Sequence, residues 1–211
     1  MKTLHILLFA IACAACTTNN ADTFTLDHAR ILAVRSEPAH APIGGTVRID
    51  VLAGNDAGDV YVAVPDAIDI GTLAAQRESD GWYVTGPGVQ LAPAATVTIA
   101  IDGVAFSATK ELVFGDSADN PMIGDMQVDG SAIQAIDIAQ NTKPALDATT
   151  AGAEPLSFAW YTSLGTLEHY REPEATFDAD QAGDGTIAVV VRDAQGGVAW
   201  QIVPASVTTE P

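Results

Sequence analysis

The chain has 211 residues, of which 27 are acidic and 9 are lysine or arginine, so its formal net charge is −18 at pH 7. Recognition of nucleic acid or of anionic lipid headgroups needs a basic surface, and this composition excludes both as partners. The length accommodates two small domains. The acidity indicates either a well-solvated surface or a capacity to bind divalent cations.

The first residues have the pattern of an export signal. Lys2 precedes an apolar run at 4–12 (LHILLFAIA), which is shorter than the roughly 20 apolar residues of a membrane-spanning helix. The CAAC segment that follows resembles the lipobox of bacterial lipoproteins, with Cys16 as the lipidated residue. We predict a signal peptide at 1–15 and a lipid anchor in the cell envelope; an ordinary signal peptide cut nearby is the alternative. Thr17 after the cysteine favours the outer membrane.

Both cysteines, Cys13 and Cys16, lie in or next to this leader, so the domains contain no cysteine for a disulfide and depend on their hydrophobic cores. Residues 16–23 are polar and show no apolar period. They predict a short tether between the lipid and the first domain.

From residue 24 onward the pattern is that of an all-β protein. Short runs alternate apolar and polar residues and are separated by turns rich in Gly, Pro, Asp and Asn, which predicts two β-sandwiches of about seven strands each. Only residues 67–77 offer room for a helical turn or two. The clearest alternating sets are Val47, Ile49 and Val51; Val97, Ile99 and Ile101; Ile187, Val189 and Val191; and Val198, Trp200 and Ile202.

The turn signals place the first sandwich at 24–114, a linker at 115–121 and the second sandwich at 122–208. Pro121 suits the first residue of an edge strand, where its missing N–H is not needed. Trp160 and Trp200 fall on the apolar faces of neighbouring predicted strands, so both are expected in the core of the second sandwich.

Motifs in the second half resemble a PKD or related Ig-like module. They are LDATT at 146–150, PLSFAWY at 155–161 and GTIAVVVRD at 185–193. The first half, from residue 27 to residue 38 and the following PIGGTV, resembles the opening of bacterial envelope lipoproteins with tandem Ig-like domains. These resemblances imply a fold and a location but no ligand, because fold and function are separable.

The linker segment LVFGDSADNP permits an esterase hypothesis, because FGDS resembles the nucleophile block of GDSL-type esterases, with Ser117 as nucleophile. That chemistry needs a histidine and an α/β sheet. Only His169 lies downstream, Thr166 stands where the partner aspartate belongs, and the following segment is β-rich. We reject the esterase hypothesis and expect no catalytic residues.

The same segment resembles the calcium-binding linker of cadherins. Calcium takes six to eight oxygen ligands, and Asp116, Asp119, Asn120 and Asp125 are candidates to supply several of them. The alternative is an ordinary acidic linker, where Asp, Asn and Pro are favoured by the backbone alone. No other cofactor is expected.

Trp82 and Tyr83 are bracketed by loop residues and are candidates for an exposed binding edge. The sequence therefore predicts a non-catalytic envelope module for binding, adhesion or scaffolding, with a protein or glycan partner that remains open. The alternative hypothesis is a structural spacer rod whose linker is stiffened by calcium.

Overall fold

The computed structural model describes residues 24–209, so the signal peptide, Cys16 and the tether lie outside the described residues. All the regular secondary structure in this range is β-strand, as the sequence predicts. The stretch from residue 67 to residue 77 contains two strands, so the expectation of a helical turn there is wrong. The described residues include no helix that is long and apolar enough to cross a membrane.

Ten strands build the first sandwich. They are β1 (Arg30–Glu37), β2 (His40–Pro42), β3 (Thr46–Gly54), β4 (Val60–Ala63), β5 (Ala67–Asp69), β6 (Ala74–Arg77), β7 (Trp82–Thr85), β8 (Ala94–Ile101), β9 (Val104–Glu111) and β10 (Val113–Gly115).

One sheet of the first sandwich has the order β1-β3-β7-β6, with β4 also paired to β3, and the other has the order β5-β8-β9. After a break at Leu112, β10 continues the line of β9 and pairs in parallel with β2. This is the strand order of an Ig domain, in which the first, second, fifth and fourth strands form one sheet and the third, sixth and seventh form the other.

Nine strands build the second sandwich. They are β11 (Met122–Val128), β12 (Ser131–Ile133), β13 (Ile136–Ala139), β14 (Ala145–Ala151), β15 (Ser157–Thr162), β16 (Thr166–Glu168), β17 (Glu174–Asp178), β18 (Gly183–Arg192) and β19 (Val198–Thr208).

The two sheets of the second sandwich have the orders β12-β11-β14-β17-β16 and β13-β19-β18-β15. The Ig order therefore recurs, with β13 parallel to β19 as β2 is to β10. The prediction of an all-β protein with two tandem Ig-like sandwiches is confirmed.

Each sandwich has its own core, and the alternating residues supply it as predicted. In the first sandwich Val47, Ile49 and Val51 of β3 are fully buried against residues of β8. In the second, Trp160 is fully buried among the inward side chains of β18 and donates its indole N–H to Glu172 O at 3.0 Å. The burial of one face on each strand fixes the register of the sheets.

Trp200 lies outside these cores. It pairs with Val190 across β18 and β19, and both side chains occupy the outer face of that sheet, opposite Val189 and Val191. Trp200 is half-buried there, so the expectation that it belongs to the sandwich core is wrong. Alternation shows which residues share a face, but it does not show which neighbour covers that face.

The outer face of β18 and β19 packs against the outer face of β1 and β3. We call this apolar contact the seam. Partly buried side chains, Trp200 and Tyr161 among them, surround it. The buried residues of the seam are Leu26, Leu32, Ala33, Leu52, Val190 and Val198.

A charged group lies at the edge of the seam. The Asp50 carboxylate is only 3% exposed and accepts two hydrogen bonds from Arg35, at 3.1 and 2.7 Å, while Arg48 lies 3.3 Å away. The Arg35 guanidinium in turn stacks over the Trp200 ring, 4.1 Å from its centroid. Arg35 thus joins a buried carboxylate of the first sandwich to an aromatic ring of the second.

The segment from Phe24 to Leu26, which precedes β1, lies on the second sandwich. Leu26 N donates to Thr162 O at 2.8 Å, and Thr162 N donates to Phe24 O at 2.9 Å. Leu26 is buried in the seam, and the Phe24 ring packs 5.1 Å from Tyr170. We call residues 24–26 the strap, because they cross from the second sandwich to the start of the first.

The two tryptophans differ in their surroundings, which a pair of alanine substitutions can measure. Trp160→Ala removes a fully buried side chain and is expected to lower the free energy of unfolding by about 3–5 kcal/mol. Trp200→Ala removes a half-buried ring and its contact with Arg35, and it is expected to cost about 1–2 kcal/mol. Urea unfolding followed by circular dichroism measures both. Equal costs would place Trp200 in a core after all.

Candidate functional site

The predicted linker lies against the first sandwich. Ala118 exchanges backbone hydrogen bonds with His40, at 3.0 and 3.2 Å. Asn120 connects the sandwiches: its amide N–H group donates to Ser36 O at 2.8 Å and its side-chain oxygen accepts from Val198 N at 2.8 Å. The junction is thus held by the protein's own hydrogen bonds.

The four calcium candidates are distributed along this junction. Asp116 and Asp119 are exposed, and Asp125 lies on β11, where its backbone N–H donates to Thr149 Oγ1 at 2.8 Å. Asn120 uses both ends of its amide in the contacts described above. Within residues 24–209 no three His, Cys, Asp or Glu side chains are grouped to hold a metal ion. The calcium site stays a prediction.

Ser117 is exposed between β10 and β11. An esterase nucleophile of this class needs a tight turn from a strand into a helix, and Ser117 has a strand on either side of its linker. His169 lies in a turn of the second sandwich, where its Nδ1 atom is 3.3 Å from Glu172 Oε1.

The structure places Trp82 and Tyr83 on opposite faces of β7. Trp82 packs against the first core and donates its indole N–H to Pro65 O at 2.8 Å. Tyr83 lies on the outer face, where its hydroxyl donates to Asp80 Oδ2 at 2.9 Å. This hydrogen bond raises the pKa of Tyr83. Of the predicted aromatic pair, Tyr83 is therefore the residue that faces a surface cavity.

Tyr83 borders a shallow cavity of about 410 Å³ on the outer face of the first sandwich, which we call the Tyr83 groove. Strand β6 forms one side of it, and all four β6 residues are exposed. β6 ends its sheet among the described strands, so one side of its backbone is available for pairing. The groove is lined by Thr46, Ala74, Ala75, Gln76, Glu78, Tyr83 and Thr85.

Three large apolar side chains are exposed at the end of the first sandwich next to this groove. Ile43, Val89 and Leu91 are 52%, 62% and 43% exposed. Their loops are joined by backbone hydrogen bonds from Gly44 N to Pro87 O at 2.9 Å and from Gly86 N to Gly45 O at 2.8 Å. We call these three residues the apolar tip. Exposed apolar side chains grouped in this way are typical of interaction surfaces.

The apolar tip and the strap lie at opposite ends of β3. Thr46, the first residue of β3, follows the tip loop, whereas Gly54, the last, lies against Leu26 of the strap. Nine residues of strand span about 26 Å. A chain tethered through its N-terminal segment thus carries the tip at the far end of the first sandwich.

The sequence proposed Tyr83 as part of a binding edge, which stays a prediction, but it did not single out the tip. The signal was present in the turns, because Ile43 lies within PIGG and Val89 and Leu91 follow GPG. Turns are usually polar, so large apolar residues inside two of them indicate a surface contact. Nothing local, however, shows that these two turns are neighbours.

Comparison with known proteins gives similarity of fold alone. No family model and no curated protein matches the chain. The N-terminal Ig1-2 module of the Drosophila receptor protein tyrosine phosphatase DLAR is 11% identical, with 86% of this chain and 99% of that chain covered and a TM-score of 0.37. A chimeric titin Z1Z2-Z1Z2 tandem is 12% identical, with 87% and 100% covered and a TM-score of 0.36.

A nucleoside hydrolase-related hypothetical protein from Saccharophagus degradans is 18% identical over 44% of this chain, with a TM-score of 0.35. The match covers only 26% of the length of that protein. The class of the protein follows from its own strand order: it is a tandem Ig-like β-sandwich protein.

The calcium prediction is tested by thermal unfolding with calcium and with chelator. A site with a dissociation constant near 10⁻⁴ M, filled at 100-fold excess, adds about 2.7 kcal/mol to the free energy of unfolding. The calcium hypothesis predicts a higher melting temperature that is lost in the Asp116→Asn, Asp119→Asn double variant. An unchanged melting temperature would contradict the calcium hypothesis.

Proposed function

We propose that this protein is a lipid-anchored module of the cell envelope, held in the outer membrane through Cys16, that binds a protein partner without catalysis. The observation that carries the proposal is the apolar tip. It exposes three large apolar side chains at the end of the first sandwich that lies farthest from the strap.

The tip and the Tyr83 groove form one continuous candidate surface. From Tyr83, β7 continues to its last residue, Thr85, and the chain then enters the Gly86–Pro87 turn that contacts the tip loop. The tip offers apolar contacts, while the free edge of β6 offers main-chain donors and acceptors. Ala74 and Ala75 have small side chains, so an approaching backbone meets little obstruction at that edge.

This combination favours a protein partner over a glycan. An extended protein segment can pair with β6 as an added strand and place apolar side chains on the tip. Adhesion and scaffolding both require such a contact at a distance from the anchor. The seam supports this role, because it joins both sandwiches into one body that holds the surface in a fixed position.

A photo-crosslinking amino acid placed at Val89 in living cells tests the proposal. We expect ultraviolet light to join the protein covalently to one defined partner, and we expect the adduct to weaken when Ile43 and Leu91 are also changed to Ser. Val104 is the matched control. Val104 is 58% exposed and directly follows the β8–β9 turn. This turn lies near the strap end of the sandwich, because Asp102 in the turn accepts a hydrogen bond from Asp56 N, and Asp56 accepts one from Ala29 N.

The same photo-crosslinker at Val104 is expected to give no defined adduct. Equal adducts from both positions, or none from Val89 under conditions where the protein is surface-exposed, would contradict a binding role for the tip.

A further inference from the structure

A second cavity, of about 320 Å³, lies between the two sandwiches. Strands β1 and β9 border it from the first sandwich, and the turn between β18 and β19 borders it from the second. Its volume is at the small end of the range of about 300–1,000 Å³ found for ligand sites. The cavity is separate from the tip and from the Tyr83 groove.

The floor of the cavity is apolar. Leu32, Val34 and Val198 line it, and each is less than a tenth exposed. A ligand bound there would bury hydrocarbon against these side chains, which favours an aliphatic body over a polar one.

Two cations line the same cavity. Lys110 donates from Nζ to Gly196 O at 2.5 Å, and Arg192 donates from Nη2 to Leu32 O at 3.0 Å. An ammonium has three N–H donors and a guanidinium has five, so each side chain keeps donors for a ligand. Both of these partners are neutral carbonyl groups.

Lys110 and Arg192 lack a carboxylate within salt-bridge distance, as Arg30 and Arg171 also do among the described residues. Lys143, the other described lysine, has two carboxylate partners, Asp178 at 2.6 Å and Glu168 at 3.3 Å.

Burial and the neighbouring charges act on the pKa of Lys110 in opposite directions. Burial lowers the pKa of Lys110, and the charge of Arg192 lowers it further, against the opposing effect of Asp193 and Glu111. An anion beside Lys110 would favour its charged form and so offset part of the effect of burial.

We propose that this cavity binds a small aliphatic carboxylate, with its charged group between Lys110 and Arg192 and its hydrocarbon on the apolar floor. A guanidinium matches a carboxylate through two parallel hydrogen bonds. Multiply charged anions are disfavoured, because the net charge of −18 repels them. The site is complete only when both sandwiches are docked, since each supplies one cation.

Isothermal titration of the purified protein with a series of carboxylates from acetate to octanoate tests the proposal. Affinity is expected to rise by about fourfold per added methylene until the cavity is full, and then to fall. Hexanamide has the same chain without the charge, and it is expected to bind at least about tenfold more weakly than hexanoate.

Lys110→Gln and Arg192→Gln are each expected to weaken hexanoate binding by about tenfold. Lys143→Gln is the matched control and is expected to leave binding unchanged. Because Arg192 also donates to Leu32 O, its substitution can loosen the seam, and weaker binding by that variant would then have two explanations. Lys110→Arg therefore serves as a second variant, which keeps the charge and is expected to retain binding.

Equal binding of hexanoate and hexanamide would overturn the proposal. So would the finding that none of the carboxylates in the series binds at millimolar concentration. Neither result would bear on the apolar tip, because photo-crosslinking at Val89 measures a separate surface.

Discussion

The apolar contact between the two sandwiches is the interaction on which the rest of the structure depends. An antiparallel sheet usually packs one face on a core and exposes the other to water. Here the sheets that contain β3 and β18 are apolar on both faces. Each buried leucine stabilises the docked arrangement by about 1.5–3 kcal/mol relative to exposure. Separated sandwiches would expose Leu26, Leu32 and Leu52 together.

Hydrophobic burial is not directional, so the seam alone does not fix the angle between the sandwiches. The contacts of Asp50 with Arg35, and of Arg35 with Trp200, are directional and fix that angle. A buried carboxylate is costly unless its oxygens are paired, and Arg35 satisfies both of them while its guanidinium covers Trp200. Asn120 adds a second fixed point at the other end of β1, beside Ser36. Together these contacts hold the tip in a defined position relative to the strap.

The sequence predicted the fold because the fold depends on local alternation. The runs around Ile49, Ile99 and Val189 specify strands with one buried face, and the turns between them set their lengths. The seam was not predictable in this way. Trp200 alternates as a core residue does, and only the approach of a segment more than 160 positions earlier shows that another domain covers it.

The same limit applies to the functional surfaces. Tyr83 was predicted from its neighbouring turns, but the tip requires two loops about 45 positions apart to meet, Gly44 with Pro87. Asn120 was a candidate calcium ligand because Asp, Asn and Pro cluster around it. In the structure its amide joins the sandwiches, a role that depends on Ser36 and Val198, far away in the chain.

The central claim is that the two sandwiches form one body through the seam, and differential scanning calorimetry of the purified protein tests it most directly. Two-state unfolding of the whole unit gives a calorimetric enthalpy equal to the van't Hoff enthalpy. The structure predicts a single transition with these two enthalpies equal. Two resolved transitions, or a calorimetric enthalpy about twice the van't Hoff value, would show that the sandwiches unfold independently and would contradict the claim.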